Sequence, residues 1–331
     1  MSGPNQPPPP DRLTGLLEDG DHEETVACLD RLRAAGAEAR KRELRVIRDV
    51  AEERPTVFEA LAVPLATFLT DETRAVRLTT AKLFVTLAQS EPTVALPVVD
   101  ALADRLADDE EFYYVRARCA EALGYIAAAH PSAATPEILA DLRIGLSFDE
   151  PEVKTKLAKA LSHVALGNPR RLRHHVENLA AHLESDDELV RYHLTTAFVA
   201  VGCTYPDALV AGVDALKDRA NDPNPYVRGR AAEALGLLGH SDVDVSLPEQ
   251  WGRDAVESEA AADFLDMRVA FALGDRPAAA VDGVADTESI HDTTEEIVEA
   301  ITTPDGDGCP NCGLGLPENG PPFCPQCGRP F

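Results

Sequence analysis

Four thiols near the C-terminus have the spacing of a metal site. Cys309-Pro-Asn-Cys312-Gly and Cys324-Pro-Gln-Cys327-Gly are two turns separated by eleven residues. Two Cys-x-x-Cys turns supply the four thiolates that a tetrahedral zinc takes, and a Gly after each second Cys lets backbone amides turn toward the sulfurs. Four sulfurs fill the coordination sphere, so the expectation is one structural zinc per chain with no open position for a catalytic water. A second group with chemical potential is Arg170-Arg171-Leu172-Arg173-His174-His175, directly after Asn168-Pro169. Asn168 can cap a helix and Pro169 suits its first position, which puts three Arg at the helix end that carries positive partial charge. Cations set against that field invite a functional reading, with Arg170, Arg171, Arg173, His174 and His175 as candidate contacts for an acidic partner. The ordinary alternative is a solvated patch balanced by Glu177, Glu184 and Asp186.

The elements that must carry these groups repeat. Val76, Val115, Val153, Val190 and Val227 stand 39, 38, 37 and 37 residues apart. A cation follows each: Arg77, Arg116, Lys154, Arg191 and Arg228. Apolar residues recur seven, eight and eleven positions after each Val, as in Leu83-Phe84 and Leu87 or Ala234-Leu235 and Leu238, so each copy offers one apolar stripe at helical spacing. An earlier copy is registered on Ala39, with Leu44, Ile47 and Val50 in place. Pro55, Pro92, Pro131, Pro169 and Pro206 keep nearly the same period and mark the corner to a second helix, predicted over about 56–69, 93–107, 135–146, 170–184 and 207–220. Cys119 falls among the core positions and reads as a small buried hydrophobe. A period in this range signals stacked helix pairs.

These residues resemble the HEAT-repeat family, including the short variety first described in bilin lyases, over roughly residues 37–240. The resemblance implies an all-α, right-handed α-solenoid of six to seven helix pairs. It also implies that Asp71, Asp109, Asp149, Asp186 and Asp222 bond the repeated cations as a ladder between neighbouring turns, and that the second helices form the partner face. Residues 307–331 resemble the small zinc-ribbon family found at the ends of many archaeal proteins; rubredoxin-type iron sites use similar knuckles but a longer, aromatic-rich spacer. The functional expectation is a non-catalytic scaffold for protein partners. The alternative is an enzyme or enzyme subunit of the bilin-lyase or HEAT-like hydroxylase type. The hydroxylases need paired His-Glu motifs across several repeats, whereas this chain has His-Glu once, at His22-Glu23. No phosphate loop, nucleophile elbow or dinucleotide fingerprint appears.

The totals bound the partners. The 331 residues carry a formal net charge of -26, from 57 acidic and 31 basic residues. This composition looks like that of salt-accumulating archaea, where molar salt shortens the Debye length to about 3 Å. Such a surplus disfavours nucleic acid. No apolar run of about 18 residues and no charged-then-apolar leader is found, so neither a spanning helix nor a secretory signal is indicated, and the expected location is the cytoplasm. The predicted organisation is a disordered Pro-rich tail over 1–12 and a solenoid over 13–274, degenerate at its ends. An acidic linker with one helix follows over 275–306, then the zinc ribbon over 307–331.

Overall fold

In the computed structural model of the chain, residues 10–252, 256, 258–275 and 283–302 are described, and every regular element among them is helical. The four clustered cysteines lie outside these residues. The chain divides into two compact units, one through Asn168 and one from Pro169. The first unit contains α1 (Pro10–Asp19), α2 (His22–Arg33), α3 (Ala37–Glu53), α4 (Ala62–Ala66), α5 (Arg74–Ser90), α6 (Pro92–Ala95), α7 (Val99–Ala107), α8 (Tyr113–Ala129), α9 (Pro136–Gly145) and α10 (Pro151–Gly167). The second contains α11 (Val176–Ala180), α12 (Glu188–Gly202), α13 (Val213–Asp218), α14 (Pro225–Gly239), α15 (Glu259–Ala272) and α16 (Thr287–Thr302). Helix α1 begins at Pro10, inside the stretch expected to be a disordered tail. Proline's fixed φ and missing N–H suit a first helical position, and Leu13 and Leu17 are buried.

The helices that carry the repeated Val, α5, α8, α10, α12 and α14, are long and pack side by side with α3, registered on Ala39, and α15: α3, α5, α8 and α10 pack in succession in the first unit, and α12, α14 and α15 in the second. Their stripes form the core. Val76, Leu83, Phe84 and Leu87 are fully buried in α5, as are Val227, Leu235 and Leu238 in α14. The Gly that ends the Ala-Leu-Gly run lets neighbouring helices approach. A Cβ on Gly124 would stand 2.6 Å from the Cα of Ala160, and one on Gly236 would stand 2.8 Å from the Cα of Ala272. The second segments differ from expectation. Only α9 is one uninterrupted α-helix; the others alternate short α and 3-10 turns, as in 55–70, 92–107, 169–184 and 206–221. Pro64 and Pro97 sit inside the first two and remove helical donors.

A ladder of cations ties turn to turn, with Asp71 and Asp222 as expected acceptors and other groups at the remaining rungs. Arg77 donates Nε and Nη2 to both oxygens of Glu111 at 2.7 and 2.8 Å, and Nη1 to the carbonyl of Asp71 at 2.8 Å. Arg191 repeats the pattern, donating to both oxygens of Asp222 at 2.7 and 2.9 Å and to the carbonyl of Ser185 at 2.7 Å. Arg40, in the copy without a Val, pairs with Asp71 at 2.8 Å. Each carboxylate also accepts a backbone N–H of its own turn: Thr73 to Asp71, Phe112 to Glu111 and Asn224 to Asp222. One group thereby satisfies an orphan donor and links two repeats. Asp109 pairs with Arg116 of its own copy at 3.4 Å, while Glu111 takes the rung that reaches Arg77 of the preceding copy. The expected rung at Asp149 is corrected, since Arg116 stacks there on the ring of Phe148 at 4.6 Å. Asp186 offers its backbone carbonyl to Arg191 rather than a carboxylate.

Candidate functional site

In the second unit the long helices carry a segment of the same chain. Ile297 and Ile301 of α16 share one apolar cluster with Tyr192 of α12, Tyr226 and Val227 of α14, and Ala261 and Phe264 of α15. Helix α16 arises from the Ile290, Ile297 and Ile301 spacing, which places one apolar stripe on an otherwise acidic helix. It docks on the layer of Val-bearing helices, not on the second segments that the family resemblance favoured. Tyr192 and Tyr226 stand two positions after and one position before their Val, so they lie beside the core stripe and form a separate ridge.

Polar bonds fix the entry to α16. Glu233 has no solvent exposure and accepts from Arg230 at 2.8 Å, from Arg268 at 3.0 Å and from the backbone N–H of Ala285 at 2.7 Å. Arg268 also donates to the carbonyl of Gly283 at 3.0 Å and lies 3.4 Å over the ring of Phe264. Burial alone would push the Glu233 carboxyl up, but Arg230 and Arg268 outweigh it and hold the group below its ordinary value. The same burial lowers Arg268 to about 10. Ala285 takes a φ of 57°, a left-handed backbone that residues with a side chain rarely adopt, and its N–H is spent on Glu233.

The equivalent pair in the first unit is Arg118 and Glu121, three and six residues after Val115, as Arg230 and Glu233 follow Val227. Glu121 accepts from Arg118 at 2.7 Å and from Lys156 at 2.9 Å, with Lys159 at 3.5 Å. Burial opposes its charge, yet the three cations hold Glu121 well below the usual carboxylate range. Lys156, desolvated and beside two further cations, is lowered to about 8.

The Arg170 to His175 cluster does not open a long helix. Asn168 closes α10, donating its N–H to the carbonyl of Val164, and Pro169–Arg171 is a single 3-10 turn. Helix α11 starts only at Val176 and runs five residues, so the argument from a helix-end field is corrected: so short a helix has little macrodipole to oppose. Leu172 anchors the turn in the core, while Arg170 and His174 are exposed. Arg173 stacks on Tyr205 at 5.2 Å and donates to His174 at 2.9 Å. His193, buried in α12, and Cys119, wholly buried with its thiol raised by desolvation, belong to the packing. Among the described residues no group of three or more His, Cys, Asp or Glu stands together as a metal site, and no helix is long and apolar enough to cross a membrane.

No protein-family model matches the chain, and no curated protein matches it in sequence. Solved structures do. An engineered protein from the Northeast Structural Genomics Consortium superposes with a TM-score of 0.58 at 19% identity, over 90% of this chain and 78% of its own. A second engineered protein from that source gives 0.57 at 21% identity, over 66% of this chain and 96% of its own. A designed armadillo repeat protein in complex with the peptide (KR)4 gives 0.50 at 18% identity, over 69% and 98%. At these identities the likeness is one of fold: the chain is an all-α protein of the helical-repeat solenoid class.

Proposed function

We propose that this chain is a non-catalytic scaffold that binds segments of protein partners on the layer formed by its Val-bearing helices. The observation that carries the reading is the docking of α16, a segment of the chain itself, on Tyr192, Tyr226 and Phe264. The designed armadillo protein of like fold, in complex with a (KR)4 peptide, supports the reading at the level of fold analogy. We read Cys309, Cys312, Cys324 and Cys327 as the ligands of one structural zinc, because an all-thiolate set of two knuckles matches that ion's preference. A segment as small as 307–331 has little core of its own, so the metal would supply most of its stability. The acid surplus supports a cell interior rich in salt, and the free thiols of Cys28, Cys119 and Cys203 fit a reducing cytoplasm.

The test uses the full chain with Ile297→Asp and Ile301→Asp, which remove the apolar stripe of α16. A labelled synthetic peptide spanning residues 283–302 should bind the variant and be excluded by the wild type. A variant that keeps its helical signal and still refuses the peptide would contradict the scaffold reading. For the metal, Cys312→Ser in the full chain should abolish the single bound zinc while the helical signal stays; zinc retained at wild-type stoichiometry overturns the assignment.

A further inference from the structure

In the second unit Glu233, six residues after its Val, holds the entry to α16 and is paired with Arg230, three residues after that Val; the same two positions recur in the first unit and there are mostly cationic. Three and six residues after the register position stand Arg42 and Arg45 in α3, Thr79 and Lys82 in α5, Arg118 and Glu121 in α8, and Lys156 and Lys159 in α10. Six of these eight residues are basic and one is acidic, in a chain of 57 acidic and 31 basic residues. The four helices pack in succession, α3 on α5, α5 on α8 and α8 on α10, so the eight positions form one ridge along the unit. Arg42 and Arg45 are exposed, Lys82, Arg118 and Lys156 are half-buried, and Lys159 lies at the base over the ring of Tyr125. Two carboxylates pair with these six cations, Glu43 with Arg42 and Glu121 with Arg118, Lys156 and Lys159, so the formal balance of the ridge remains positive.

The second unit indicates what such a ridge does. Of its pair at the same positions, Glu233 bonds the chain's own 283–302 segment through the N–H of Ala285, and Arg268 of the next helix, which shares Glu233 with Arg230, donates to the carbonyl of Gly283. We infer that the ridge of Arg42, Arg45, Lys82, Arg118, Lys156 and Lys159 is a docking strip for an acidic segment of a partner protein. The inference deepens the scaffold reading and rests on it. Charge complementarity selects the occupant, since six cations face two carboxylates, Glu43 and Glu121, and a run of carboxylates would bring the strip toward balance. The geometry suits an extended chain. Packed helices stand about 8–10 Å apart, and carboxylates on one side of an extended segment recur about every 7 Å, a mismatch that long Lys and Arg stems absorb. A nucleic acid would meet the same cations, but the field of the remaining surface repels it.

The test is a fluorescence-anisotropy titration of the full chain with three labelled probes: a short peptide of alternating Glu and Ser, the same peptide with Lys for Glu, and a short single-stranded DNA. The acidic peptide should bind, weaken as KCl rises, and weaken by about tenfold or more when Arg45, Lys82 and Lys156 are changed together to Gln. Those three leave Glu43 paired with Arg42, and Glu121 with Arg118 and Lys159. If the triple variant melts early, Arg45→Glu alone, at an exposed position, should still weaken binding. Equal affinity for the wild type and a folded ridge variant overturns the strip. So does loss of binding in Arg170→Gln, Arg171→Gln, Arg173→Gln in place of the ridge variant, or tighter binding of the DNA. A ridge-sensitive dimer in sedimentation would make a second copy the occupant and also overturn it. Capture of the 283–302 peptide by the Ile297→Asp, Ile301→Asp chain without acidic-peptide binding removes the strip and leaves the scaffold; failure of both removes both.

Discussion

Glu233 holds two guanidiniums that have little access to water: Arg230 has no exposure and Arg268 very little. Deleting one partner of a buried ionic group leaves uncompensated charge, at a cost of about 3–5 kcal/mol. Glu233→Ala should therefore lower the urea midpoint by a corresponding amount and release Ala285, read as faster exchange of its amide. Lys156 gives a pH signature whose sign is fixed by its lowered value. Between about 8 and the ordinary 10.5 the unfolded chain binds more protons at this group than the folded one. Its unfavourable contribution is thus full below 8 and relieved as pH rises, so the wild type should gain in melting temperature on Lys156→Gln across that window; a constant difference would contradict it. Such residues were half legible in sequence. The cation after each Val announces the ladder. Its acceptor does not, because Asp109 and Glu111 are two residues apart and turn geometry decides between them, and because Phe148 accepts a cation through its ring.

At the scale of the element, the Val-bearing helices are readable because their core stripe and the cation after each Val obey one period. Gly stands nine residues after the Val in two copies, at Gly124 and Gly236, and its physical role there is contact between helices. Gly124→Ala forces a Cβ to 2.6 Å from backbone and should cost about 1–3 kcal/mol in thermal unfolding. Gly239→Ala, whose Cβ would meet nothing nearer than 3.7 Å, should change stability by about 0.5 kcal/mol or less. Equal losses at both positions would mean that propensity, not packing, governs the motif. The second segments were misread as continuous helices because a regular apolar spacing hides what Pro64 and Pro97 do to the backbone ladder. Helix α16 was legible from its isoleucines, but its seat was not. Tyr192, Tyr226 and Phe264 come from three helices and stand outside the core stripe, so no single stretch of sequence displays them together.

For the whole molecule, the net charge of -26 sets how stability answers to salt. Self-repulsion reaches about 10 Å at 0.1 M ionic strength and about 3 Å at 1 M, so the melting temperature should fall as KCl is lowered from molar to 0.1 M. An unchanged melting temperature would contradict adaptation to high salt. Repetition made the fold class readable, whereas the docking surface is a property of neighbouring helices together and emerges only when they are packed. The most direct measurement of the central claim is hydrogen exchange of the full wild-type chain. If α16 occupies the ridge, the amides of Ile297 and Ile301 should exchange slowly, together with those of α14, and lose that protection in the Ile297→Asp, Ile301→Asp variant. Exchange of α16 in the wild type at the rate of the free 283–302 peptide would contradict the account.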